Sequence, residues 1–281
     1  MKISEIIARI KSYHKGVDRN GVPIDEETTR DKVLYGNADQ VCTGIVTTCY
    51  ASAEVIRKAA ARGANLIIVH EALFWNHGDH TDWLADNKVF QAKKKLLDDT
   101  GIVVWRDHDY IHSGIPLEDG SYTDGIFYGF MQELGWQKYL IDEIARPMTY
   151  RFPKRQVSDI AKELITKNHL NGMRITGDPN AQVETVRIIT HIIGPADNDT
   201  TQRLEMDGID AVITLEITDF TVSEYIRDSA MLNKPRAAIN MGHFNTEEPG
   251  MKYMVEYLPK VVGDIPVHFV QSGDAFSFIT K

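Results

Sequence analysis

The run at residues 65–69, Asn-Leu-Ile-Ile-Val, constrains the fold more than any other stretch. Five mostly apolar residues are too few for a helix, and their branched side chains show no polar alternation. They read as a strand buried on both faces. Gly63 precedes the run, and His70 and Glu71 follow it directly, ahead of an apolar wall of Leu73, Phe74 and Trp75. In open α/β sheets, chemistry collects beyond the carboxyl ends of the strands, where these two polar side chains fall. The competing reading is a satisfied histidine and a solvated glutamate at a strand end.

The rest of the chain alternates in the same manner. Strands are expected at 41–48, 102–105, 149–152, 173–176, 186–193, 211–214, 237–240, 267–270 and 276–279. Between them lie segments of helical period. The first carries Ile3, Ile6, Ile7 and Ile10 behind a Ser4 cap and stops at Gly16; the second runs from a Ser52 cap to Ala61 and closes at Gly63. Further helices are expected at 86–99, 124–134, 158–167, 200–206 and 222–231, and a last one after Thr246 with Pro249 near its first turn. Residues 16–40 and 106–122 read as polar loops. Strands alternating with helices imply parallel sheets and an α/β fold.

Two parts of the chain align without a gap. Residues 63–71 lie against 208–216, which pairs Glu71 with Glu216. One strand later, 103–108 matches 238–243, and each of the histidines His108 and His243 has a donor four residues on, His112 and Glu247. The expected architecture is therefore two similar α/β halves, 1–142 and 143–281, with a metal site in the cleft between their strand ends.

His70, Glu71, His112, His243 and Glu247 form the candidate ligand set. Three imidazoles and two carboxylates exceed one closed tetrahedral site and suit two ions bridged by a carboxylate. Nitrogen and oxygen donors without thiolate fit Zn, Fe, Mn, Co or Ni. Glu216 is the candidate general base, or else orients a ligand. His77, His80, Asp79 and Asp82 make a second polar cluster, read as a solvated loop because no strand supports it.

Composition removes several function classes. A net charge of -9 argues against a large nucleic-acid footprint. No apolar run approaches the ~18 residues a membrane span needs, and the first helix is amphipathic rather than a signal segment, so a cytoplasmic protein is expected. Two cysteines, Cys42 and Cys49, make no disulfide framework and read as small core residues. There is no glycine-rich phosphate loop, so the residues themselves do not point to a nucleotide triphosphate.

Three stretches resemble the Nif-three-like proteins, the type 2 GTP cyclohydrolase homologues. Val69-His70-Glu71-Ala72-Leu73-Phe74-Trp75 is similar to that family's strand ending in a His-His pair and a Pro-Leu-Phe-Trp tail. His108-Asp-Tyr-Ile-His112 is similar to His-Thr-Asn-Leu-Asp, and Gly242-His-Phe-Asn-Thr-Glu247 to Gly-His-Tyr-Ala-Thr-Glu, the most specific of the three. Ile213-Thr-Leu-Glu216 is a counterpart of Ile-Thr-Gly-Glu. The resemblance covers nearly the whole chain in order. It implies two α/β domains, a dinuclear metal centre between them, a ring-shaped homohexamer and a small-molecule substrate hydrolysed at that centre. Two departures compensate: Glu71 stands where the family has histidine and His112 where it has aspartate, so the donor count is kept. Leu215 replaces the glycine before Glu216. The alternative to a hydrolase is a protein that binds or senses metal without catalysis.

Overall fold

The computed structural model describes residues 1–195, 197–234 and 236–279. They divide into two compact units, the first made of 1–129 and 250–273, the second of 130–249 and 274–281. The sequence places a single break after 142; the units instead break after 129, and residues 250–273 return to the first.

The elements begin with helix α1 (Ile3–Tyr13), strand β1 (Val33–Tyr35), β2 (Ile45–Thr48), α2 (Ala53–Ala61), β3 (Leu66–Val69), α3 (Lys88–Thr100) and β4 (Val103–Arg106). A one-turn helix α4 (Asp109–Ser113) follows, then a short antiparallel pair β5 (Ile115–Pro116) and β6 (Tyr122–Thr123), and α5 (Gly125–Leu134). Next come β7 (Thr149–Gln156), α6 (Val157–Asn168), β8 (Arg174–Gly177), β9 (Gln182–Ile192), α7 (Asn198–Met206) and β10 (Ala211–Ile217). The chain continues through α8 (Val222–Met231), β11 (Ala237–Asn240), the long α9 (His243–Val262) and β12 (Val267–Phe269).

In the first unit the sheet order is β1-β4-β3-β2-β12. The four strands from β4 to β12 run parallel, and β1 closes the β4 edge antiparallel. All four residues of β3 are buried, as the unbroken apolar run requires. Val46, Val55, Ile56, Ile67, Val104 and Leu97 meet in one core beneath it, joined by Leu73 and Phe74. Leu73 and Phe74 of the apolar wall are thus core residues, while Trp75 stays exposed and donates its indole N–H to Tyr50 Oη at 2.9 Å. Cys42 and Cys49 are buried and unbridged.

In the second unit the order is β7-β9-β10-β11-β8, with β9, β10 and β11 parallel and both edges antiparallel. Val212, Ala238, Ile226, Leu204 and Ile192 form its core. The expectation of purely parallel sheets is corrected at these edges. An edge strand has only one neighbour to match, so it can run against an otherwise parallel block.

Most helix caps follow from sequence. Ser52 accepts from Val55 N at 3.3 Å, Asn87 from Val89 N and Phe90 N, both at 3.0 Å, and Gly101 ends α3 in the left-handed region at φ 64°. Ser4 is not a cap; it lies inside α1, whose first turn is closed by Lys2 N–H donating to Glu5 Oε2 at 2.9 Å. The last helix starts at His243, three residues before the expected Thr246, so Pro249 lies beyond its first turn. No strand forms at 276–279. Among the described residues no helix is long and apolar enough to cross a membrane.

Candidate metal centre

The first unit brings three imidazoles together. His70 follows β3, His108 follows β4, and His112 sits on α4, one turn further on. Their ligand atoms lie within 4.8 Å of one another. The His70 and His108 rings stack at 4.6 Å between centroids and 14° between planes, and His112 stands edge-on to His70 at 4.9 Å. The sequence reading chose His112 and left His108 out; the structure places both beside His70. The 106–122 loop expected from polarity contains α4, and that turn of helix carries His112 back toward the strand ends.

Each ring is held from behind. His70 Nδ1 lies 3.1 Å from the Asp107 carbonyl oxygen, His112 Nδ1 lies 2.9 Å from Asp124 Oδ2, and His108 Nδ1 lies 2.8 Å from Asp109 Oδ1. Oxygens of these kinds accept, so Nδ1 carries the proton and Nε2 presents its lone pair. This is the arrangement that orients metal-ligating histidines. Burial, and then the neighbouring imidazoles of His108 and His112, hold His70 well below the ordinary imidazole range, which keeps it neutral. Asp124 also accepts from Ile126 N at 3.1 Å and Phe127 N at 3.3 Å, so the residue behind His112 also caps α5.

Glu71 follows His70 directly and is among the residues that could hold a metal ion. Its Oε2 accepts from Arg106 Nη2 at 3.1 Å. Arg106 has no exposed surface. Its Nε donates to His70 O at 2.9 Å, and its Nη1 donates to His77 O and to Asp79 Oδ2, each at 2.9 Å. The 77–82 cluster therefore divides. His77 and Asp79 are tied to the sheet through Arg106, whereas His80 and Asp82 are exposed, as a solvated loop predicts. Burial raises Asp79, with the guanidinium opposing it. Nothing in the residue pattern marks Arg106 as buried, apart from its place at the end of an apolar strand.

The second unit carries its own group: His191, Glu216 and His243, again with ligand atoms within 4.8 Å. Glu216 and His191 are register partners on β10 and β9. Glu216 Oε2 accepts from His191 Nδ1 at 2.7 Å, and Oε1 accepts from His243 Nδ1. Burial pushes the Glu216 carboxyl up, but the hydrogen bonds from His243 and His191 outweigh it and leave the group below its ordinary range. On its other side, His243 Nε2 lies 3.2 Å from Glu247 Oε2, one turn along α9, as the four-residue spacing requires. Glu247 is buried. His191 was missed in the sequence because only strand register sets it beside Glu216.

Fold and site together define a class: an α/β protein whose strand ends carry imidazole and carboxylate groups that could hold a metal ion. The chain belongs to the Duf34/NIF3 (NGG1p interacting factor 3) family, whose profile matches residues 1–274. The resemblance read from the three motifs is thus borne out. The GTP cyclohydrolase 1 type 2 homolog of Clostridium perfringens (strain 13 / Type A) is 23% identical over 295 residues, spanning 99% of this chain and 100% of that one. Among solved structures, a Bacillus cereus protein related to NIF3 shares the fold with a TM-score of 0.69 at 12% identity, 99% of each chain being covered. A Staphylococcus aureus hypothetical protein does so with a TM-score of 0.67 at 16% identity and the same coverage.

Proposed function

We propose that the chain is a metal-dependent hydrolase that holds two divalent ions and acts on a nucleotide or similar heterocyclic compound. The observation that carries this reading is the set His70, His108 and His112, three imidazoles whose Nδ1 atoms are each engaged by an oxygen behind the ring. Such a donor set fits Zn, Fe, Mn, Co or Ni. In the second unit His243 and Glu247 are the proposed ligands. Glu216 orients His243 and serves less well as a free base, since both its oxygens hold imidazoles. Divalent metal in such a site supplies a water of lowered pKa at neutral pH. The cyclohydrolase name of the Clostridium perfringens relative agrees with a hydrolytic role.

Elemental analysis after expression with metal supplied should give two transition-metal ions per chain. X-ray absorption should show a metal–metal path of ~4 Å, the spacing of a two-metal site. His108→Ala and His112→Ala should each weaken binding by ~10–100-fold or more, the scale of losing an orienting partner. No metal in the wild type would sink the proposal, and two ions without a metal–metal path would remove the shared centre. A screen of nucleotides and heterocycles on the loaded protein tests hydrolysis.

The second reading, metal binding without catalysis, is favoured by Glu216, whose two oxygens each accept from an imidazole, so that it is no free general base. If the loaded protein hydrolyses nothing in the screen, that reading replaces the first.

A further inference from the structure

Two cavities of the second unit lie side by side, of about 320 Å³ and 390 Å³. They share Arg174, Asn240, Gly242, Asn245 and Phe276. Glu216 and His243 line the larger one, so it opens on the group described above. Phe278 and Asp274 line the smaller. Together they make one recess of the size that takes a small organic molecule.

The lining states what would fill it. Arg174 is fixed at the start of β8, in register with Asn240 of β11. Its Nε and Nη2 donate to Asn240 Oδ1 at 3.2 and 2.8 Å, and Nη2 also donates to Ile217 O at 3.1 Å. These acceptors are neutral, and among the described residues no carboxylate forms an ion pair with the guanidinium. Asn240 is in turn held by donating to Leu215 O at 2.8 Å, so the arginine is aimed by a buried, fully occupied amide. Those bonds use the hydrogens of Nε and Nη2, which leaves the Nη1 hydrogens to donate to an oxygen of a bound anion. The walls are aromatic. Phe276 and Phe278 are 68% and 42% exposed. Phe278 sits directly against Gly172, where a Cβ would come within 2.6 Å of its ring. Gly242, at φ 98°, keeps another side of the recess free of side chain. Asn245 Oδ1 and Asp274 Oδ1 are buried acceptors without a hydrogen-bond partner in the protein, and they add a demand for ligand N–H or O–H groups.

We propose that this recess binds a flat aromatic or heteroaromatic ring bearing a carboxylate, with the carboxylate on Arg174 and the ring against Phe276. As a substrate class it rests on the hydrolase reading above; as a binding site it does not.

The test uses 2-naphthoate as probe, because it lacks the ring nitrogen that would chelate metal. It is titrated into metal-stripped and metal-loaded protein alongside the neutral 2-naphthamide and the non-planar cyclohexanecarboxylate. Naphthoate should bind saturably to both forms and at least about tenfold more tightly than either control, the scale of one charge-assisted contact. Arg174→Met should weaken naphthoate about tenfold without changing naphthamide, Arg174→Lys should recover part of the loss, and Phe276→Ala should weaken both aromatic probes. No saturable binding by the wild type overturns the proposal, as does a folded Arg174→Met that binds naphthoate like the wild type. If Arg174→Met does not fold, hydrogen exchange on the wild type decides: naphthoate must protect 237–245 and 272–279, and protection elsewhere overturns the site. Metal content separates the two readings. A chain that binds naphthoate but no metal keeps this proposal and loses the hydrolase reading, and a metal-loaded chain that ignores naphthoate does the reverse.

Discussion

Arg106 carries a full charge with no exposed surface, and four oxygens surround it: His70 O, His77 O, Asp79 Oδ2 and Glu71 Oε2. Removing one partner of a buried pair leaves an uncompensated charge, so Arg106→Met should cost about 3–5 kcal/mol in urea unfolding. Adding Glu71→Gln to it should return part of that loss; equal stability of the single and double variants would show that Glu71 is not the partner that matters. His14 gives a pH test. Burial lowers its imidazole to about 3, so from pH 6.5 downward the unfolded chain binds a proton that the folded one does not. Stability therefore falls as pH drops through that window, by up to about 1.4 kcal/mol per pH unit from this group. Asp107, 3.6 Å from His14 and held well above the carboxyl range chiefly by burial, pulls the other way. Comparing wild type with His14→Gln between pH 4.5 and 7 isolates the histidine, and parallel curves would contradict the assignment. At this scale the sequence made candidate donors visible where they follow a strand or recur at four-residue spacing: His70, Glu71, His112, His243 and Glu247. It could not show His191 or Arg106, because one depends on strand register and the other on burial of a charge, and neither leaves a local pattern.

Among the elements, α9 is the most tightly constrained. It begins at His243 and carries Pro249 and Gly250 in its body. Pro249 has no N–H to give the Asn245 carbonyl, and Gly250 lies where a Cβ would sit 2.4 Å from Ile126 Cα and 2.8 Å from Ile126 O. Backbone against backbone cannot yield as a side chain end does. Gly250→Ala should therefore destabilise by about 1–3 kcal/mol, the cost of overpacking, despite the ~1 kcal/mol by which alanine favours a helix. A denaturant midpoint equal to or above the wild type would mean that α5 moves away freely. The central strands were legible because apolar runs of four to seven residues between capped helices admit few other readings. Strands β7 and β8 were legible at 149–152 and 173–176 but their antiparallel direction was not, and β1, the β5–β6 pair and the one-turn α4 were not legible at all. Their residues are polar or few, and pairing rather than composition defines them. Phe276 to Ile279 misled for the opposite reason: it has the β-prone residues of a strand but no neighbour to pair with.

For the whole molecule, the family resemblance leads us to propose a ring of six chains. Light scattering should then give about 190 kDa from a 31.8 kDa chain, and a mass near one chain across a wide concentration range would remove the assembly. The first unit is discontinuous, since β12 forms its β2 edge: Ile45 pairs with Val267, about 220 residues later. The returning segment also supplies the Met251 carbonyl that accepts from Thr47 Oγ1 at 2.8 Å. A chain ended after Pro249 should expose that edge and lose exchange protection over 45–48, while protection equal to the full chain would show the edge to be dispensable. On a ribosome adding roughly 5–20 residues per second, β2 emerges some ten to forty seconds before the strand that covers it. During that interval it presents unpaired N–H and C=O groups to every other nascent chain. Elongation rate and chaperone supply, rather than final stability, should therefore set the soluble yield of this protein.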